Sequence, residues 1–241
     1  MTDAQKTAIV TGASQGIGAA LVQEFLKRGY SVIANSRNIA KANSLPRSAN
    51  LALIDGDIGD PKTAEQLVDA AVSRFGRIDV LINKAGIFIA KPFTVYTTED
   101  LNALVSTTIA GFLYLSQRAV KEMVKQSNGS IVNISTTLVD HPVAGVPATV
   151  QVMAKGSLNA VTRALAMEYV KEGVRVNTVA LGVIKTPMHK PEAYESLKGL
   201  HPMGRMGEIK EVIDAVLFLT DATFTTGEIL HVDGGAHVGK W

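Results

Sequence analysis

Short apolar runs rich in β-branched residues alternate with longer stretches of helical apolar spacing along the whole chain. The short runs predict strands over residues 7–10, 31–35, 51–55, 79–83, 130–134, 174–180 and 229–232. Between them, residues 19–26, 63–75, 98–124 and about 147–170 have the length and periodicity of covering helices. A strand joined to the next through a helix returns parallel to it, by a right-handed crossover. The pattern therefore predicts an α/β fold: a doubly wound, mostly parallel sheet covered on both faces, with ligands bound beyond the carboxyl ends of the strands. No repeat, low-complexity tract or linker divides residues 1–241, so a single domain is expected. Pro187, Pro191, Gly199 and Pro202 interrupt regular structure between 185 and 205, which makes that segment the candidate substrate lid.

Composition narrows the class. At 241 residues with 46% hydrophobic content, the chain can bury a substantial core. Twenty-four Lys and Arg face 22 Asp and Glu, a formal charge of +2 without a basic stripe, which argues against a nucleic-acid partner. Cysteine is absent, excluding disulfides and thiolate metal ligands, and the five histidines show no metal-ligand spacing. No apolar run approaches the roughly 20 residues that span a bilayer, and residues 1–6 lack the apolar core of a signal peptide. The expectation is a cytoplasmic protein that acts on a small molecule, without metal, membrane or nucleic acid.

Candidate chemistry begins at Thr11-Gly12-Ala13-Ser14-Gln15-Gly16-Ile17-Gly18, between the first strand and the first helix. Glycine lets the backbone turn tightly beside a pyrophosphate, and the unpaired N–H groups of the new helix attract the anion. Gly12, Ser14, Gln15, Gly16, Ile17 and Gly18 are therefore candidate cofactor contacts, and the strand-turn-helix order makes the sheet Rossmann-like. An ordinary strand-to-helix turn is the alternative.

Together with Asn83-Lys84-Ala85-Gly86 after the fourth strand and Asp233-Gly234-Gly235 near the end, this turn resembles the short-chain dehydrogenase/reductase family over nearly the whole chain. The resemblance implies that the glycine turn binds the pyrophosphate, that Asn83, Ala85 and Gly86 support the cofactor, that Asp57 and Ile58 flank the adenine, and that Ile184 and Thr186 lie near the nicotinamide. It also implies a catalytic Ser-Tyr-Lys set with a helical Asn, and a homodimer or homotetramer built through the helices over 98–124 and 147–170.

Four positions depart from the family's pattern. Lys84 stands in place of a second Asn, Thr108 in place of the helical Asn, and Leu181-Gly182 in place of Pro-Gly. In Gln151-Val152-Met153-Ala154-Lys155 the family's lysine is present as Lys155, but Gln151 replaces its tyrosine one turn earlier, on the same helix face. A tyrosine beside a lysine protonates a carbonyl oxygen as hydride arrives; glutamine can only donate a hydrogen bond to a developing oxyanion. Thr136 matches the family's serine, with Ser135 beside it and a loop to Gln151 about two residues longer than usual. In that loop His141 has the one side chain whose ordinary pKa suits proton donation near neutrality, although loop histidines are usually surface residues. Tyr194 and Tyr114, each four residues before a basic residue, are read as decoys, the first in the lid and the second on a core helix.

After the second strand, Asn35-Ser36-Arg37-Asn38 contains no acid to bind a ribose 2′-hydroxyl. Arg37, with Ser36 and Ser14, is placed for a 2′-phosphate, so NADP (NADPH) is the expected cofactor, the alternative being a solvated arginine. The resemblance also has Lys155 bonding the nicotinamide ribose, with or without catalysis. Two functions stay open. One is an NADP-dependent reductase of a carbonyl or quinone, using Lys155, Thr136, Gln151 and Ser135 with His141 or solvent as proton source. The other is a dinucleotide-binding homologue without turnover, acting as a sensor or oligomer partner.

Overall fold

The computed structural model describes residues 5–42 and 44–239. Seven strands, β1 (Thr7–Thr11), β2 (Ser31–Ser36), β3 (Leu51–Asp55), β4 (Val80–Asn83), β5 (Gly129–Thr136), β6 (Val174–Leu181) and β7 (Ile229–Val232), form one sheet in the order β3-β2-β1-β4-β5-β6-β7. Every pairing is parallel. The strand order reverses between β1 and β4, and the crevice beyond their carboxyl ends is where an open sheet of this kind holds its ligand.

Successive residues of a strand point to opposite faces, and the core divides accordingly. On one face Ala8 and Val10 pack under α1 (Gly16–Lys27) and α7 (Ile209–Asp221), with Leu21, Val22, Phe25, Val212 and Val216 buried there. On the other, Ile9 and Ile33 pack under α2 (Pro61–Phe75) and α4 (Gly111–Lys125), joined by Ala166 of α5 (Thr149–Tyr169). Helix α7 was not among the predicted elements. Its signals are the reciprocal Glu208 and Glu211 capping box and buried Val212, Val216 and Leu219 at helical spacing.

The helix predicted over 98–124 is not continuous. A short α3 (Thr98–Leu104), opened by a Thr97 and Asp100 capping box, passes into a π-helical stretch, Val105–Ala110, before α4 begins. Gly111 sits there against Ile58, where a Cβ would come within 2.8 Å of Ile58 Cγ2. The wider π turn rotates the residues around it away from the face that a regular helix would present, and Thr108 is buried as a result.

A buried polar ladder crosses the central strands. Asn83 Nδ2 donates to Asn133 Oδ1 at 3.0 Å and to Ser116 Oγ at 3.1 Å; Asn133 Nδ2 donates to Thr162 Oγ1 at 2.9 Å, and the Thr162 and Thr178 hydroxyls share a bond of 2.7 Å. Such a ladder is favourable only while every member has its partner. Asn133→Ala removes an acceptor from Asn83 and a donor from Thr162, and should cost about 2–4 kcal/mol. Urea unfolding would check this, and a loss under about 1 kcal/mol would mean that the ladder is marginal to stability.

Candidate active site

The site is built where β1 and β4 end. Thr11 closes β1, and its hydroxyl donates to Ile82 O at 3.2 Å while accepting from Lys84 N at 3.1 Å and Ala85 N at 3.0 Å. Those three bonds fix the 84–86 turn against the glycine turn. Gly12 and Gly16 have φ of +64° and +56°, and a Cβ on Gly18 would run into the Gly12 carbonyl oxygen. The N-cap of α1, Gln15, makes no side-chain capping bond, so the first N–H groups of the helix are left for a ligand, and Gln15, Gly16 and Ile17 line the cavity in front of them. An uncapped helix terminus beside backbone that tolerates no side chain fits the pyrophosphate of a dinucleotide.

That cavity, of about 330 Å³, continues from the glycine turn to the end of β5 and the start of α5. Ser135, Thr136, Gln151 and Lys155 line one part of it, and Phe88, Leu138, Val143, Val146, Val183, Met188 and Leu200 give it largely apolar walls. Of the segment predicted as a lid, Thr186, Pro187, Met188, His189, Leu197 and Leu200 form part of the wall. This segment carries a short helix, α6 (Tyr194–Lys198), and is tied down at its base by a bridge between Ile184 and Gly207.

Gln151 is 2% exposed, and its Oε1 accepts from Ile89 N at 3.4 Å, which leaves Nε2 as the end that can donate to a ligand oxygen. One turn on, Lys155 Nζ donates to Ile134 O at 2.7 Å and lies over Gly86, 3.1 Å from where a Cβ would stand. Burial, and then the charge of Lys84, push the Lys155 ammonium down to about 8. Thr136 Oγ1 accepts from Leu138 N at 3.3 Å and stays on the cavity wall, whereas Ser135 Oγ donates to the Lys155 carbonyl at 3.3 Å and braces α5 against β5.

Other predicted residues fall into separate groups. Arg37 and Asp57 are exposed beyond β2 and β3, Ser14 and Ser36 are partly exposed near the glycine turn and β2, and Arg37 has no carboxylate partner among the described residues. Ile58 is buried against Gly111, and the Asn83 side chain is committed to the polar ladder rather than to the cavity. His141 follows a 3₁₀ turn and bonds Thr137 O through its backbone; it is not part of the cavity wall, where the histidine present is His189, lowered by burial. Tyr194 also stays off the wall, its ring 5.6 Å from the Lys185 ammonium, and Tyr114 packs against the core.

Two residues of the site were absent from the predicted set. Thr11 was read only as part of the glycine motif, although a hydroxyl at the last position of β1 is the signal of its bridging role. Lys84 was read as a departure from a structural asparagine, yet its side chain enters the cavity.

Against this geometry, a family profile described as enoyl-(acyl carrier protein) reductase matches residues 12–237. The chain belongs to the short-chain dehydrogenase/reductase family. It is 35% identical to the granaticin polyketide synthase putative ketoacyl reductase 2 of Streptomyces violaceoruber, over 98% of this chain and 99% of that one. It is 33% identical to the 3-oxoacyl-(acyl-carrier-protein) reductase FabG of Thermotoga maritima, over 95% and 97% of the two chains. The solved structure of ElxO with NADP bound superposes with a TM-score of 0.91 at 31% identity, covering 98% of this chain and all of that one. Among the described residues no helix is long and apolar enough to cross a membrane.

Thr108 Oγ1 is buried without a hydrogen-bond partner among the described residues, beside a space of about 10 Å³ lined by Thr11, Asn83 and Thr107. An unpaired buried hydroxyl costs free energy, so Thr108→Val, equal in shape, should stabilise the protein by about 0.5–1 kcal/mol. Urea unfolding of the pair measures it, and destabilisation would instead show that the hydroxyl is satisfied in solution by a water, for which the space is just large enough.

Proposed function

We propose that this protein is an NADP-dependent reductase of a small apolar carbonyl or quinone, with a proton donor other than the usual tyrosine. The observation that carries the reading is one continuous cavity, with the uncapped glycine turn at one end and Gln151, Thr136 and Lys155 beside apolar walls further along. Bound NADPH supplies the hydride.

The protein's own groups then have distinct tasks. Gly12, Gly16, Gly18 and the α1 N-terminus hold the pyrophosphate; Thr186, Ile184 and Gly86 border the nicotinamide half. Lys155 bonds the ribose and holds positive charge near the reacting oxygen. Gln151 Nε2 and the Thr136 hydroxyl donate to that oxygen as negative charge develops on it, a stabilisation worth about 2–4 kcal/mol when well aligned. Since glutamine has no proton to give, substrates whose reduced anion is already delocalised are favoured, and the proton arrives afterwards from solvent or a histidine. A quinone meets that condition, because its reduction gives a hydroquinone anion; in an α-dicarbonyl the neighbouring carbonyl only lowers the basicity of the alkoxide inductively. A 3-oxoacyl group, the substrate class in the name of the Thermotoga maritima relative, gives a localised alkoxide on reduction and depends more heavily on the Gln151 and Thr136 donors. The same reading includes a homodimer or homotetramer through α4 and α5, which leave Leu113, Met153 and Met167 exposed.

Loss of both the tyrosine and the helical amide favours a second reading, a dinucleotide-binding homologue without turnover. Purified protein with NADPH separates the two. We expect reduction of naphthoquinones and α-diketones and at least about 100-fold lower kcat/KM for simple ketones, with Gln151→Leu losing about 100-fold on the favoured substrates. Tight NADPH binding with no oxidation by any of these substrates would establish the second reading instead.

Cofactor choice is tested separately at Arg37. Replacing this exposed, carboxylate-free guanidinium by serine should weaken NADPH about 10- to 100-fold and leave NADH within about threefold, read by fluorescence titration. Equal effects on both dinucleotides would remove the 2′-phosphate from its role.

A further inference from the structure

Lys84 is the cation in the site that the reductase reading leaves without a task. It follows Asn83 at the end of β4, and the Thr11 hydroxyl bond to its backbone N–H sets the direction in which its side chain leaves the turn. The stem runs beside the glycine turn, with Cδ 3.1 Å from where a Gly12 Cβ would be, and Nζ donates to Gly12 O at 3.2 Å. That carbonyl is its one hydrogen-bond acceptor among the described residues, and no carboxylate pairs with it there. An ammonium has three donors, so two are left over.

Lys84 and Lys155 line the same cavity, and each lies below the ordinary lysine pKa, Lys84 by burial and Lys155 by burial and by the charge of Lys84. Two like charges drawn out of water without a counter-ion are unfavourable in the free protein. The arrangement becomes less unfavourable when a ligand carrying negative charge enters the cavity they share. Gln15, Gly16 and Ile17 line the same cavity, so the uncapped α1 N-terminus directs that anion to the glycine turn from the other side.

We propose that Lys84 is a ligand of the dinucleotide's pyrophosphate, closing the glycine turn from the β4 side with a charged contact where the family has an uncharged amide. The proposal rests on the NADP reading above and adds to it a residue that makes affinity depend on charge at the nicotinamide-side phosphate of the pyrophosphate. It also explains how Lys155 is tolerated in an apolar wall beside a second cation: the pair is arranged for a ligand that carries compensating negative charge.

Calorimetric titration of wild type, Lys84→Met and Lys84→Arg with NADPH and with adenosine 2′,5′-bisphosphate tests the contact. The second ligand keeps the adenine end, the 2′-phosphate and the adenine-side 5′-phosphate but lacks the nicotinamide-side phosphate, the one the proposal gives to Lys84. Lys84→Met should weaken NADPH roughly 10- to 100-fold while changing adenosine 2′,5′-bisphosphate less than about threefold, and Lys84→Arg should restore most of the loss. The gap should narrow as salt screens the contact. At about pH 8.5 the anion raises both ammonium pKa values, so binding should take up protons, seen as a dependence of the apparent enthalpy on buffer ionisation, and Lys84→Met should take up fewer. Unchanged NADPH affinity in a folded Lys84→Met overturns the contact. So does equal weakening of both ligands with a lowered unfolding temperature, which would make Lys84 a structural support of the turn. Wild type that binds neither NADPH nor NADH would overturn the functional reading itself, and the contact with it.

Discussion

The Thr11 hydroxyl is the joint on which the site depends. It sits at the strand-order reversal, gives its one proton to Ile82 O and accepts the backbone N–H groups of Lys84 and Ala85, so both acceptor sites and the donor are used. Through it the glycine turn after β1 and the turn after β4 are held as one surface. The direction of the Lys84 side chain and the place of Gly86 under Lys155 both follow from that joint. Behind it the Asn83, Asn133 and Thr162 ladder ties β4 to β5 and α5, so the start of α5, with Gln151 and Lys155, is referred to the same frame.

Electrostatics then separates anion binding from proton delivery. Positive charge is plentiful: two lysines and a helix N-terminus face one cavity, and none of the three is neutralised within the described residues. Acidic protons are scarce. The residue one turn before Lys155 is an amide, the cavity histidine lies in the segment after β6, and burial biases it towards its neutral form. A site of this kind binds and stabilises anions better than it delivers protons, and that balance sets the chemistry it can support.

Most of the fold was legible in the sequence because parallel strands buried on both faces leave unbroken β-branched runs. All seven strands were predicted, with ends displaced by a residue or two, as at Thr11 and at Thr136, where polar residues finish otherwise apolar strands. Helix α7 was overlooked because it follows the irregular segment after Arg205 and its capping residues are two glutamates rather than the commoner hydroxyl cap. The π-helical stretch was illegible for a different reason: period 3.6 and a wider turn agree within one turn and diverge only afterwards, so the apolar pattern from α3 into α4 reads as one helix. In the site, spacing on α5 brought Gln151 and Lys155 to one face and into one cavity. Loop residues were harder. His141 and His189 both lie in irregular segments, and no periodicity tells which of the two faces inward.

An amide at position 151 is compatible with either a specialised reductase or a silent relative, and the surroundings of Gln151 bear on the choice. A relic position that had lost its task would be free to turn outward or to be filled by an apolar side chain at little cost. Here an amide is kept 2% exposed at the head of α5, its Oε1 anchored to Ile89 N and its donor end left for the cavity. That donor end opens onto the cavity rather than being sealed in protein, so a ligand oxygen can take up its hydrogen bonds there. The same reasoning applies to the unneutralised lysines. Donors left over on Gln151 and on the two lysines are arranged toward one cavity, and that arrangement suits an occupant with anionic oxygen.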